Sequence, residues 1–368
     1  MESVLFGIDL GNRQIKASDG KNTFVMPSSL ISVDKLTGFG KDPNESLVQY
    51  VIDGKSYYVG SGVKQYSDKA IGSLELSASR YENNVAFKFL AIATVAGLAR
   101  AYSSARKGEL KVALMIGLPS EDFNNDRNIE NVKKIYRGSH TVECMDGNDR
   151  ITIKFIVNDV YVVPQSYGSF VSLAYSGIDM LTGEAADEDF EKMKEYMSSK
   201  VALVDIGGGT VLLDTVEYGN VLVKESTQLP LGARILYDNI KEKINQTPYN
   251  IGGVDVNKVE MTVRKGIEDG SHHFVYKVNK NLKVDISEAV NDAISEWSLD
   301  ISFKMRETFK NLDTYDEIIF TGGGANIIDK SIIDDNFNVN YNRTVYLPNS
   351  ETANVEGYVM RLQAMDLE

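Results

Sequence analysis

The stretch Val201-Ala202-Leu203-Val204-Asp205-Ile206-Gly207-Gly208-Gly209-Thr210-Val211 decides how the rest of the chain is read. Val201 to Asp205 has the β-branched, apolar make-up of a strand, the glycines interrupt it, and Val211 to Val216 resumes it. Three successive glycines cost chain entropy, so a turn with a purely structural task seldom contains them all. Such a turn offers its backbone: with no Cβ in the way, N–H groups approach phosphate oxygens closely. An aspartate closing the preceding strand can hold waters around Mg²⁺, which prefers carboxylate and water oxygens. The segment therefore reads as a phosphate-binding hairpin built from Gly207, Gly208, Gly209 and Thr210, with Asp205 beside a metal ion.

The chain carries a second version of the same pattern. Gly7-Ile8-Asp9-Leu10-Gly11-Asn12 is again strand, Asp, apolar residue, Gly and turn, with Gln14 to Ala17 as the returning strand. Asp-x-Gly alone is more often an ordinary β-turn, and its weight comes from the pairing with Asp205. Two such hairpins imply two similar halves. Facing each other, they would grip a triphosphate from both sides, and Lys16, just past the first turn, would neutralise phosphate charge. A third glycine cluster closes another strand in Ile318-Ile319-Phe320-Thr321-Gly322-Gly323-Gly324-Ala325-Asn326, where bare backbone can lie against a nucleotide base and α-phosphate. No Gly-Lys-Ser/Thr follows either cluster and neither is a G-x-G-x-x-G opening a helix, so P-loop and dinucleotide readings fail.

Outward from these motifs, strands and helices alternate, which indicates an α/β class. Strands are expected at Val4–Asp9, Lys111–Ile116, Glu317–Thr321 and Tyr276–Leu282, and as a pair within Thr152–Val163. Helices are expected at Asn83–Ala105, as one long apolar helix, and at Ser166–Tyr175, Leu231–Ile244, Asp285–Asn311 and Val355–Ala364. Gly183–Ser198 reads as an acidic surface helix, and Gly252–His273 has no clear period. From Asp34 to Ser79 the chain is rich in Gly, Ser, Asp and Tyr with only short strand-like pieces, the mark of a small inserted subdomain.

Composition narrows the function classes. The 368 residues suit two domains. A hydrophobic share of 43% with 25% charged residues is that of a globular protein. The net charge of −13 argues against direct coating of nucleic acid or of an anionic membrane. One cysteine, Cys144, and three histidines cannot build a disulfide or a Cys/His zinc site. The apolar run Phe89–Ala99 is too short to span a bilayer and reads as a buried helix. The amino terminus, Met1-Glu2-Ser3, lacks the basic-then-apolar pattern of a signal peptide, so a reducing cytosol is expected.

In motif order the chain resembles the actin-like ATPase superfamily, and within it the ParM-type plasmid-segregation actins. The resemblance implies an actin-like (ribonuclease H-like) two-domain fold, each domain a mixed sheet flanked by helices plus a smaller subdomain. It implies domain I at 1–170 plus 345–368, with a small subdomain at about 34–80, and domain II at 171–344, with a small subdomain at about 230–283. Asp9, Gly11 and Asn12 match the first phosphate loop, with Asn12 where many actins carry Ser. Asp205 to Thr210 match the second, and Gly322, Gly323, Gly324 and Ala325 match the adenosine loop. Val163-Pro164-Gln165 matches the segment in which the family holds Glu or Gln to orient the attacking water. An amide is a poor base, yet it aligns water by donating and accepting hydrogen bonds. Lys241 and Glu242 fall in a segment resembling the helix that contacts ribose and adenine, and Lys265-Gly266 resembles one that flanks the adenine.

The implied activity is hydrolysis of ATP (or GTP) with Mg²⁺, held through water by Asp9 and Asp205, in a filament of identical subunits that segregates plasmid DNA. DNA would be reached through a ParR-like DNA-binding adaptor on a centromere-like plasmid site, with no direct membrane contact. The competing reading is a sugar-type kinase of the same superfamily. Such a kinase needs a carboxylate base for the substrate hydroxyl. Gln165 stands where that carboxylate is wanted, leaving Asp159 and Asp122 as conceivable bases.

Overall fold

Val4–Leu10 is apolar on both of its faces because both are covered. In the computed structural model, which describes residues 3–36, 47–66, 80–146, 149–246, 248–337 and 343–367, Phe6 and Ile8 pack into a core with Phe87, Leu90 and Val95 of the helix Val85–Ala99. Leu5, with Met115 and Val163, packs instead against Val355, Tyr358 and Leu362 of the helix Ala353–Leu367. This is the pattern of a parallel strand buried between helical layers.

The chain divides into two compact units. The first comprises Met1–Ser198, Gly219–Lys224 and Thr352–Glu368, and the second Ser199–Tyr218 and Glu225–Glu351. In the first, a nine-stranded sheet runs in the order Thr23–Pro27, Gln14–Ser18, Val4–Leu10, Leu110–Leu118, Asp149–Pro164, Gly138–Asp146, Val48–Ile52, Lys55–Val59, Ile31–Ser32. Val4–Leu10, Leu110–Leu118 and Asp149–Pro164 are parallel neighbours. Val4–Leu10 and Gln14–Ser18 form an antiparallel hairpin in which Asp9 faces Lys16. In the second unit, Lys200–Ile206 pairs antiparallel with Val211–Glu217 and parallel with Glu317–Thr321, which is in turn parallel to Thr344–Tyr346. Ala202, Val204, Ile206 and Phe320 from this sheet share one core with Leu236 and Ile240 of the helix Ala233–Asn245 and Val290 and Trp297 of the helix Ser287–Thr308.

Four local expectations are revised. The helix expected over Asn83–Ala105 is three: Arg80–Asn83, Val85–Ala99 and Ser103–Lys107. Asn84 breaks the run by capping, its side chain accepting from the Phe87 N–H at 3.0 Å, and Tyr102 is extended before the third piece. The strand pair expected within Thr152–Val163 is one strand, Asp149–Pro164, whose antiparallel partner is Gly138–Asp146. Within Gly252–His273 lies the helix Val256–Glu268, capped by Asp255 and burying Val259, Val263 and Gly266. The single strand expected at Tyr276–Leu282 is a hairpin of Val275–Lys277 with Lys283–Asp285. The stretches 37–46 and 67–79 of the expected inserted subdomain lie outside the described residues. Among the described residues no helix is long and apolar enough to cross a membrane.

Candidate functional site

In the first unit the candidate residues gather where parallel strands end. Asp9 is in register with Gly117, and Gly117 with Val163, so three neighbouring strands finish in one row. Open α/β sheets bind ligands at such carboxyl ends. Asp9 and Lys16 are 1% and 8% exposed, and Lys16 Nζ stands 3.8 Å from Asp9 Oδ2. Burial makes each charge depend on the other. The turn between them is tied down by Ser28, whose hydroxyl donates to the Gly11 carbonyl and whose N–H donates to the Arg13 carbonyl at 3.0 Å. Gln165 follows directly on the third strand. Its N–H donates to the Leu118 carbonyl at 2.7 Å, and its own carbonyl accepts from the hydroxyl of the fully buried Tyr358 at 2.6 Å. The backbone of Gln165 is thereby fixed, with its side chain half-buried at the strand ends.

Sequence reading missed a guanidinium in this region. Arg80, 4% exposed, donates from Nη1 to Asn12 Oδ1 at 2.8 Å and from Nη2 to Asp122 Oδ2 at 2.7 Å. It lies 4.5 Å from the centre of the Tyr81 ring and also donates to that residue's hydroxyl, which in turn donates to Asp122 Oδ2 at 2.8 Å. Burial pushes the Tyr81 phenol far above its ordinary pKa, so it stays a donor.

In the second unit the glycine turn closes with the Gly207 N–H donating to the Thr210 carbonyl at 2.8 Å. It is braced from outside by backbone. The Ala233 and Arg234 N–H groups, at the start of the helix Ala233–Asn245, donate to the carbonyls of Gly207 and Gly208 at 3.0 and 2.9 Å. Gly232 lies so close that a Cβ there would stand 2.3 Å from the Gly209 carbonyl carbon and 2.4 Å from the Thr210 nitrogen. Asp205, 1% exposed, is in register with Thr321. Gly322 follows with φ +82°, and a Cβ on it would meet Asp205 Oδ1 at 2.4 Å. The second and third motifs thus meet at Asp205, and no side chain fits between them.

Gly324 and Ala325 are buried in the short 3-10 turn Gly323–Asn326. The nearest side chains to a Cβ on Gly323 would be Glu351 and Arg264, at 3.4 and 3.6 Å. Arg264 Nη1 donates to Glu351 Oε1 at 3.1 Å. Burial pulls this guanidinium down, but Tyr237, Glu351 and Glu260 outweigh it and hold Arg264 above its ordinary value. Arg264, the neighbour of Lys265 in the chain, thus stands beside Gly323. Lys241 and Glu242 lie on the helix Ala233–Asn245, one half-buried and the other exposed, about 12 Å along it from its start.

The donor chemistry suits Mg²⁺ and a nucleotide. Each unit has one buried carboxylate at a strand end, Asp9 in the first and Asp205 in the second, an oxygen ligand of the hard kind that Mg²⁺ takes beside water and phosphate. Among the described residues no group of three or more His, Cys, Asp or Glu side chains able to hold a metal ion occurs.

Two family models match the chain in succession: the N-terminal domain of actin-like proteins over residues 7–168, and the Alp7A C-terminal domain over residues 200–350. The chain belongs to the actin-like proteins. Solved structures of actin-like proteins share its fold along nearly all of its length. The Bacillus thuringiensis ParM with ATP matches with a TM-score of 0.72 at 19% identity, covering 100% of both chains. The actin-like protein Alp7A matches with 0.73 at 17% identity, covering 99% of this chain and 96% of that one. Ta0583, an archaeal actin homologue, matches with 0.70 at 16% identity, covering 98% and 99%. Comparison with curated proteins by sequence finds no match.

Proposed function

We propose that this actin-like protein is a nucleotide-dependent filament former that hydrolyses ATP as a timer for disassembly and moves plasmid DNA through a DNA-binding adaptor. The observation that carries this reading is the repeated Asp–Gly turn, at Asp9–Asn12 and Asp205–Thr210, each closing a buried strand of its own unit. Asp9, Gly11, Asn12, Lys16 and the Gly207–Thr210 backbone bind the phosphates, and Asp9 and Asp205 hold Mg²⁺ through water. Gly322–Ala325 takes the nucleoside, with Lys241, Glu242 and Arg264 as flanking polar groups. Gln165 orients the attacking water. Similarity to a ParM solved with ATP, at a TM-score of 0.72, supports ATP as the nucleotide. The acidic surface, −13 overall, supports an adaptor between filament and DNA and disfavours direct binding.

The sugar-kinase reading is weaker. Asp122 is committed to Arg80 and Tyr81, and Asp159 pairs with Ala113, short of the strand ends at Gly117 and Val163. Phosphate release from Mg²⁺-ATP, followed against protein concentration with and without a panel of sugars, separates the two. A threshold concentration and indifference to sugars are expected. Turnover that is linear in protein and raised by a sugar overturns the filament reading.

A further inference from the structure

The Arg80 cluster has no part in the motifs, yet it touches the first turn. An arginine can only donate hydrogen bonds, so the Asn12 atom it meets at 2.8 Å is necessarily the amide oxygen. The Asn12 NH₂ is then turned away from the guanidinium and can only donate. A serine hydroxyl in the same place chooses freely between donating and accepting. Arg80 is itself held by three contacts, the Asp122 carboxylate at 2.7 Å, the Tyr81 hydroxyl and the Tyr81 ring face, and it is almost wholly buried. Asp122 neutralises its charge, so the cluster contributes orientation more than attraction. The same cluster lies close in the chain to the anchor of Gln165: Asp122 sits in the short helix Ser120–Phe123 that follows Leu118, and the Leu118 carbonyl accepts from the Gln165 N–H at 2.7 Å.

Resting on the nucleotide reading above, we propose that Arg80, locked by Asp122 and Tyr81, is a positioning residue that makes Asn12 an obligate donor to the γ-phosphate and so sets the preference for triphosphate over diphosphate. Arg80 acts through Asn12 and touches no substrate itself. A donor aimed at the γ-phosphate distinguishes the two nucleotides, because only the triphosphate supplies that acceptor. Hydrogen bonds to charged acceptors are the stronger kind.

The test is the ratio of dissociation constants for ADP and the non-hydrolysable triphosphate AMPPNP, measured on the full chain below its assembly threshold with thermal melting alongside. In the parent, AMPPNP binds more tightly. Arg80→Met lowers that preference by about tenfold, the size of one lost hydrogen bond. Adding Asn12→Ser to Arg80→Met restores most of it, because a hydroxyl needs no orienting partner. Asn12→Asp keeps an acceptor for Arg80, preserving the fold, but removes the donor and lowers the preference at least as far. It therefore decides the matter if Arg80→Met does not fold. Equal weakening of both nucleotides by Arg80→Met and by Asn12→Asp reduces the cluster to a structural brace and overturns the proposal. A parent that binds both nucleotides equally overturns the proposal alone, whereas a parent that binds neither overturns the nucleotide reading with it.

Discussion

The two Asp–Gly turns share a pattern and are built by different means. In the first, side chains hold the turn: Ser28 on Gly11, Arg80 on Asn12, and Lys16 directly across the hairpin from Asp9. In the second, the position across from Asp205 is Leu212, and backbone does the holding, with the N–H groups of Ala233 and Arg234 on Gly207 and Gly208. A turn of three glycines has no side chains to anchor, so a neighbouring helix start must press onto it. A turn with Asn12 and Arg13 can be held by its own groups and their partners. The first turn therefore carries charge and side-chain chemistry, and the second presents bare peptide.

The largest expected effect falls on the backbone-held turn. Gly232→Ala places a methyl against backbone that cannot yield, and should cost the second unit on the order of 4 kcal/mol. Chemical denaturation should show this, with Ser28→Ala at the first turn costing only about 1–2 kcal/mol. Equal costs would dissolve the distinction between the turns. Next comes Asp205→Ala, which should reduce ATP hydrolysis about a hundredfold by removing a metal-side carboxylate. Near-normal hydrolysis in that variant removes Asp205 from the site.

Gln165→Ala should slow hydrolysis by about tenfold while leaving nucleotide affinity within a factor of about two. Filaments of that variant turning over as fast as the parent's would deny Gln165 its role.

The smallest effect concerns pH and belongs to the first hairpin, whose far end is also held by a carboxylate. Asp19 accepts from the Asn22 and Lys21 N–H groups at 2.6 and 2.9 Å and from the Tyr102 hydroxyl at 2.8 Å. Burial raises its pKa, but these bonds outweigh burial and hold it below the ordinary 3.8. A lowered carboxyl stabilises the fold above its ordinary value and loses that contribution as pH falls through the folded one. Asp19→Asn should therefore cost about 1 kcal/mol at neutral pH, and the gap should close as the pH drops below 3.8. A gap that persists into acid would show that the carboxylate charge is irrelevant.

What was legible in the sequence follows the same division. Strand–Asp–Gly runs are local, so Val4–Leu10, Lys200–Ile206 and Glu317–Thr321 and the turns after them stood out in the chain. Arg80 was invisible because its meaning comes from Asn12 and Asp122, each far away in sequence. Arg264 was hidden in a helix whose burial of Val259, Val263 and Gly266 is against Phe274 and its neighbours, a tertiary fact. The break at Asn84 was masked by the uniformly apolar run after it, where periodicity carries no phase.

Right-angle light scattering of the pure protein after addition of Mg²⁺-ATP, with pelleting and phosphate release followed in parallel, tests the filament reading most directly. The account predicts a rise above a threshold protein concentration, a pellet that forms with ATP, and decay of the signal as phosphate appears. Scattering that stays flat at every concentration while ATP binds would contradict it.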